Sequence, residues 1–237
     1  MEHLNSIPAF QNKVAAFGSW ELFPYIFNEK RCGFTVNAGK RPLNLKEQHN
    51  KGNELNSMLS EIKSPWSCIR PDTITYRFAL EYMKEFSPKV VFISFGETDE
   101  YGHDGNYPGY LNAIRRTDQY IEDIWNFVQS NDHYRDKTTI IITTDHGRGY
   151  LFRNSWEKHG RCFAGSGQTW CAVMGPDVET LGEVKTSGQI YANQLASTIS
   201  KIFSIEYNLY SKCGSPIKQI IAPENPEKIA GILSNNN

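Results

Sequence analysis

Two short segments of this chain are hydrophobic or β-branched at nearly every position rather than at alternate positions. One is VVFISF, residues 90–95, and the other is TTIIITT, residues 138–144. A strand that is apolar on both faces is typical of a parallel sheet covered by helices, because each face then packs against another layer. We therefore predict two buried strands, with the β-branched run as the central strand of the sheet.

The segments around these strands alternate between strand and helix signals. In residues 107–130, apolar side chains recur at helical intervals, and Asp72 looks like the N-cap of a helix over residues 73–86. Further strands are predicted at residues 13–20, 33–39 and 170–174, and further helices at about 45–62 and 191–203. Strands that alternate with helices predict an α/β fold, with a mostly parallel sheet flanked by helices.

Length and composition limit the classes of protein that fit. A chain of 237 residues with 39% hydrophobic residues suits a single domain over 1–237, with an irregular loop at about 147–168 and a frayed tail at about 224–237. The net charge of −1 gives no basic field for nucleic acid, and no apolar run is long enough for a membrane span. The first residues show no export signal, so the sequence leaves the compartment unknown.

The five cysteines show no CxxC spacing and do not suggest a disulfide framework. A bridge between Cys162 and Cys171 is geometrically conceivable, although we favour free thiols.

Candidate metal ligands gather where the predicted strands end. Asp99 and His103 follow the first apolar strand in FGETDEYGHDG, residues 95–105, and Asp145 and His146 end the second strand in TTDHG. A third cluster, WEKHG, contributes His159. Ligands of open α/β sheets bind beyond the carboxyl ends of the strands, so we expect these side chains to lie at one edge of the sheet.

The residue types in these clusters favour a divalent cation. The spacing of Asp99 and His103 places a carboxylate and an imidazole one helical turn apart, or across a compact loop, so that both can reach one ion. Oxygen and nitrogen ligands suit zinc or manganese. Gly147 lets the chain turn, so that Asp145 and His146 can point the same way. Four carboxylates also crowd together, which favours a nearby cation; they belong to Glu97, Asp99, Glu100 and Asp104. Alternatively, the histidines are ordinary hydrogen-bonded residues, Asp145 caps a turn and the acidic run is solvated.

The three clusters, taken in order, resemble the alkaline phosphatase superfamily, which includes sulfatases, type I phosphodiesterases and cofactor-independent phosphoglycerate mutases. The resemblance runs from KVAAFGSW, residues 13–20, to the strand that ends in MGPD, residues 174–177. It implies an alkaline-phosphatase-like fold with two divalent metals, commonly zinc. It also implies that Asp99, His103 and His159 form one metal site, and that Asp145 and His146 belong to the other.

In the family, an upstream Asp completes the second site, close to a Ser or Thr nucleophile on the first strand of the fold. No residue here matches those positions, so we assign no nucleophile and expect this chain to be the C-terminal portion of the family domain. Full-length members of the family are often exported.

The resemblance implies a metal-dependent hydrolase of phosphate or sulfate esters acting on a small anionic substrate, weakly active or inactive as it stands. The alternatives are a non-catalytic metal-binding remnant and an interaction domain. A mutase is less favoured, because cofactor-independent mutases insert a large domain between the metal motifs, and only about 40 residues separate His103 from Asp145.

Overall fold

The structure, a computed structural model, describes residues 1–45, 50–176, 178–185, 188–207 and 212–221. The strands are β1 (Val14–Gly18), β2 (Thr35–Ala38), β3 (Val90–Ser94), β4 (Ile140–Thr143) and β5 (Cys171–Met174). The helices are α1 (Glu2–Asn5), α2 (Phe23–Ile26), α3 (Glu29–Cys32), α4 (Asn50–Glu61), α5 (Asp72–Phe86), α6 (Glu97–His103), α7 (Tyr107–Ser130) and α8 (Leu195–Ile202). Short 3₁₀ turns cover Pro8–Phe10, Ser155–Glu157 and Ala192–Gln194.

The chain forms two compact units. The first unit contains Met1–Val128 and Gly149–His159, and the second contains Gln129–Arg148 and Gly160–Asn237. The irregular loop predicted at 147–168 is thus divided between the two units. The tail predicted at 224–237 lies outside the described residues.

The first unit is built on a parallel sheet with the strand order β2-β1-β3. Strand β1 is buried at all five positions, because it has a neighbour on each side and α5 packs against it. The core lies between β1 and α5, with Phe17, Ile74 and Phe78 all 0% exposed. This arrangement confirms the predicted α/β fold with a parallel sheet flanked by helices.

Strand β3 differs from the prediction in its burial. A position in the interior of the sheet is expected from its sequence, but all five of its residues are only half-buried. The reason is its place in the sheet: β3 pairs with β1 on one side and is an edge strand of the described three-stranded sheet.

In the second unit, β4 pairs antiparallel with β5, so the prediction of a central strand in a parallel sheet is wrong for β4. Its three isoleucines are half-buried, and Thr143 is exposed. A β-branched run indicates extended backbone, but it does not determine which strand will pair with it.

The helices follow their predicted ranges closely. Helix α7 covers the predicted residues, while α4 begins at Asn50, and the part of its predicted range at 46–49 lies outside the described residues. The helix predicted at 191–203 consists of a 3₁₀ turn and then α8. Among the described residues, no helix is long and apolar enough to cross a membrane. All five cysteine thiols are free, so no Cys162–Cys171 bridge forms.

Candidate metal centre

Helix α6 places Asp99 and His103 on one face. It begins directly after Gly96, which follows the end of β3, so its first turn lies at the carboxyl edge of the parallel sheet. The two residues are four positions apart, and side chains with that spacing lie one above the other on a helix. His103 Nε2 is 3.3 Å from Asp99 Oδ2.

His159 joins this pair from a distant part of the sequence. Its Nε2 lies 3.0 Å from His103 Nε2 and 3.7 Å from Asp99 Oδ1. The structure therefore brings together the three residues that the family resemblance implies for one metal site. We call Asp99, His103 and His159 the triad.

The backbone before His159 is held by short contacts within the first unit. Ser155 Oγ donates to Phe152 O at 2.7 Å, and the Gly149 amide donates to Lys158 O at 3.0 Å. A Cβ atom on Gly149 would lie 2.4 Å from Ser155 O, so only glycine fits there without displacing the backbone. These contacts fix the turn that presents His159 to α6.

The geometry of the triad suits a metal ion. Two imidazole nitrogens 3.0 Å apart can share only one proton, and a carboxylate beside them supplies negative charge. Ligands about 2.1 Å from a tetrahedral ion are separated by about 3.4 Å, and the three distances of the triad bracket that value. Each side chain is about one-third exposed, so a further coordination position can remain open to solvent.

The neighbouring carboxylates have other partners. Glu97 pairs with Arg116, Asp104 accepts from Trp66 Nε1 at 2.9 Å, and Glu100 accepts from the Cys68 thiol at 3.6 Å. Burial, together with the Glu100 carboxylate, raises the pKa of Cys68, which keeps this thiol a donor. Arg116 offsets the charge of Glu97, but the donors to Asp104 and Glu100 are neutral, so the expectation that these carboxylates favour a nearby cation stays a prediction. Asp99 remains as the acidic member of the site.

In the second unit, Asp145 and His146 lie just beyond β4, and their side chains do point the same way. His146 Nε2 is 3.5 Å from Asp145 Oδ2, the His146 amide donates to Asp145 Oδ1 at 2.9 Å, and the Asp145 side chain is 86% exposed. Their role as ligands of a second metal stays a prediction.

Gly147 is required for space rather than for a left-handed conformation, since its φ is not positive. A Cβ atom on it would lie 2.3 Å from the carbonyl oxygens of both Gly165 and Gln168.

Sequence patterns did not reveal a set of buried polar residues at the same edge of the sheet. Its members are Ser19, Asn37, Arg70, Asp72, Thr75 and Glu97, each less than 9% exposed. Asp72 is predicted to cap its own helix, but it is the first residue of α5, and its carboxylate makes no cap hydrogen bond there. Burial raises the pKa of Asp72 to about 6 and lowers the pKa of Arg70 to about 9. The sequence feature that could have indicated this buried set is the pair of opposite charges around a proline, Arg70-Pro71-Asp72.

A carboxylate and two imidazoles meet at the carboxyl edge of the parallel sheet, and this set of side chains is one that metal-dependent proteins use as ligands. Residues 61–159, which hold the whole triad, match the sequence model of the Metalloenzyme superfamily. The match covers less than half of the chain, and it supports the resemblance of this part to the alkaline-phosphatase-like superfamily that the motifs indicated.

Two curated proteins are similar to particular parts of the chain. A phosphopentomutase of Herpetosiphon aurantiacus is 28% identical over 132 residues, which cover 55% of this chain and 30% of that protein. A 2,3-bisphosphoglycerate-independent phosphoglycerate mutase of Gracilaria tenuistipitata var. liui is 32% identical over 69 residues, 29% of this chain and 12% of that protein. The chain thus spans less than a third of either relative. No solved structure matches it. These relatives support a metal-dependent phosphoryl-transfer lineage.

Proposed function

We propose that this chain binds a divalent metal ion through Asp99, His103 and His159, and that the ion serves the cleavage of phosphate or sulfate esters. The convergence of the three side chains, with every pair within 3.7 Å, carries this proposal. Zinc is the first candidate because two imidazoles and one carboxylate are a common zinc ligand set, and manganese is the second.

The carboxylate and the imidazoles of the triad have different chemical roles. When bound, the ion would supply a Lewis acid that polarises an ester oxygen. Asp99 offsets part of the charge of the ion, and the imidazoles of His103 and His159 hold it as neutral ligands. The partial exposure of all three side chains leaves room for a small anionic substrate.

No hydroxyl is assigned as the nucleophile. Ser19 lies at the carboxyl end of β1, but it is 0% exposed and its hydroxyl donates to Asp72, so a substrate cannot reach it. We therefore expect slow turnover from this chain, and metal binding is the more direct test.

Hydrolysis is our first proposal and phosphoryl transfer between two positions of one substrate is the second. The short spacing between the metal motifs favours the first, while the names of the two curated relatives favour the second. Assays with an aryl phosphate, an aryl sulfate, a phosphopentose and a phosphoglycerate distinguish the two. Metal binding without turnover of any of these would favour the non-catalytic remnant.

The ligand assignment predicts the effect of removing either histidine. Replacement by alanine, His103→Ala or His159→Ala, should weaken zinc binding by more than about 100-fold, because a lost ligand is more costly than a lost outer-shell partner. Isothermal titration with zinc and with manganese measures the affinity. His133→Ala is the matched control, because His133 is exposed and belongs to the second unit. Unchanged affinity in both triad variants would overturn the assignment.

A further inference from the structure

A continuous hydrogen-bonded network runs beneath helix α6. Arg70 Nε donates to Thr75 Oγ1 at 2.8 Å, Thr75 Oγ1 lies 2.8 Å from Ser19 Oγ, and Ser19 Oγ donates to Asp72 Oδ1 at 2.6 Å. Each hydroxyl carries a single proton, and that of Ser19 is given to Asp72, so Thr75 must donate to Ser19. The network therefore has one direction, from the guanidinium to the carboxylate.

The other end of Arg70 is anchored on β2. Its Nη1 donates to Asn37 Oδ1 at 2.6 Å and its Nη2 donates to Asn37 O at 3.2 Å. The guanidinium also stacks over the Phe78 ring, 4.8 Å from its centroid. These contacts satisfy a buried cation on the sheet side of the network.

Asp72 connects the network to α6. Its Oδ1 accepts from the Gly96 amide at 2.8 Å and its Oδ2 accepts from the Glu97 amide at 3.0 Å. In return, Glu97 Oε1 accepts from the Asp72 amide at 3.1 Å. Gly96 precedes α6 directly and Glu97 is its first residue, so this reciprocal pair attaches the start of α6 to the start of α5.

We propose that Asp72 is a positioning residue for the metal centre: its carboxylate holds α6 on the carboxyl end of β1, so that Asp99 and His103 face His159. In these contacts Asp72 acts through the backbone of α6 rather than on the triad side chains. This inference rests on the proposed metal-binding function, and it identifies Asp72 as a residue on which metal binding depends.

The donors around Asp72 explain why a carboxylate is needed. Three donors reach its two oxygens, from Ser19, Gly96 and Glu97. Asparagine has the same shape but only one acceptor oxygen, so its amide group would face an N–H or O–H donor. The start of α6 would then lose a backbone contact, and the triad would lose its alignment.

The experiment compares Asp72→Asn with Ile74→Val. Ile74 is 0% exposed on the same helix and its side chain belongs to the core against the sheet, so its truncation lowers stability without changing the contacts that hold α6. Zinc affinity is measured by titration at a temperature where each variant is folded, and the visible spectrum of the cobalt-loaded protein reports the ligand geometry. Asp72→Asn should bind zinc about 10–100-fold more weakly and change the cobalt spectrum, while Ile74→Val keeps both.

The outcomes separate this inference from the function on which it rests. If wild type binds no metal, the proposed function fails. If wild type binds and Asp72→Asn binds equally well, only the positioning role fails. Hydrogen exchange on wild type needs no variant to fold: the Gly96 and Glu97 amides should exchange slowly without metal at about pH 7, and rapid exchange of both would overturn the inference.

Discussion

At the scale of single residues, the first unit contains two buried opposite charges that are joined through other side chains. Arg70 is 1% exposed and Asp72 is 2% exposed, and two hydroxyls connect them. Burying a charge without a partner is costly, so the network stabilises the fold only while it is complete. Its position beneath α6 means that the same residues that satisfy these charges also determine where the triad lies.

Burial gives Asp72 a distinctive pH dependence. Its pKa is raised from 3.8 to about 6, chiefly by desolvation and partly by the Glu97 carboxylate, against the hydrogen bonds from Ser19, Gly96 and Glu97. The native state therefore keeps the proton up to about pH 6, whereas the unfolded chain releases it near pH 3.8. The stability that this group contributes is present below pH 3.8 and is lost as the pH rises to about 6.

We predict that wild type loses stability relative to Asp72→Asn as the pH rises from about 4 to about 7. The difference in free energy of unfolding between the two proteins should change by up to about 3 kcal/mol, which corresponds to a shift of about two pKa units. Only wild type contributes this change, because asparagine cannot titrate. Urea unfolding of both proteins across this range measures it. A difference that stays constant or changes in the opposite direction would contradict the raised pKa.

At the scale of elements, the sequence predicted what depends on local patterning. Helix α7 covers its predicted range because apolar residues recur at helical intervals, and β1, β2 and β3 lie within the segments predicted to be extended. The pairing of β4 with β5 was missed, because strand partners depend on contacts distant in sequence.

The same distinction applies to the site. The spacing of Asp99 and His103 predicted their contact, since both lie on one helix. The position of His159 followed from the family resemblance rather than from spacing, because a loop brings it to α6. The role of Asp72 could not be read from the sequence, since its partners lie 53 residues before it and 24 or 25 residues after it.

The loop after β4 provides a test of local packing. Gly147→Ala should lower the free energy of unfolding by roughly 1–3 kcal/mol, because the added methyl group would meet two backbone carbonyls that cannot rotate away. Gly167→Ala is the control in the same loop, since a Cβ atom added to Gly167 would have no atom within 4 Å and its φ is not positive. Urea unfolding compares the two, and equal stability would contradict the tight approach at Gly147.

At the scale of the whole molecule, a ligand that binds only the folded state stabilises the unit that holds it. The triad lies within the first unit, as both α6 and His159 belong to it. A metal ion bound there should raise the unfolding temperature of that unit, and two units that unfold separately would show the change in only one calorimetric transition.

We predict that zinc at about 100 times its dissociation constant adds about 2.7 kcal/mol to the free energy of unfolding of the first unit. The midpoint temperature of its transition should then rise by roughly 5–10 °C. A chelator should reverse the shift, and His159→Ala should abolish it because the ion loses a ligand. Asp145→Ala is the matched control, since it removes a candidate ligand that lies in the second unit and outside the triad. Differential scanning calorimetry with and without zinc measures all three proteins. A shift that survives in His159→Ala but disappears in Asp145→Ala would place the stabilising ion at Asp145 and His146 instead of at the triad.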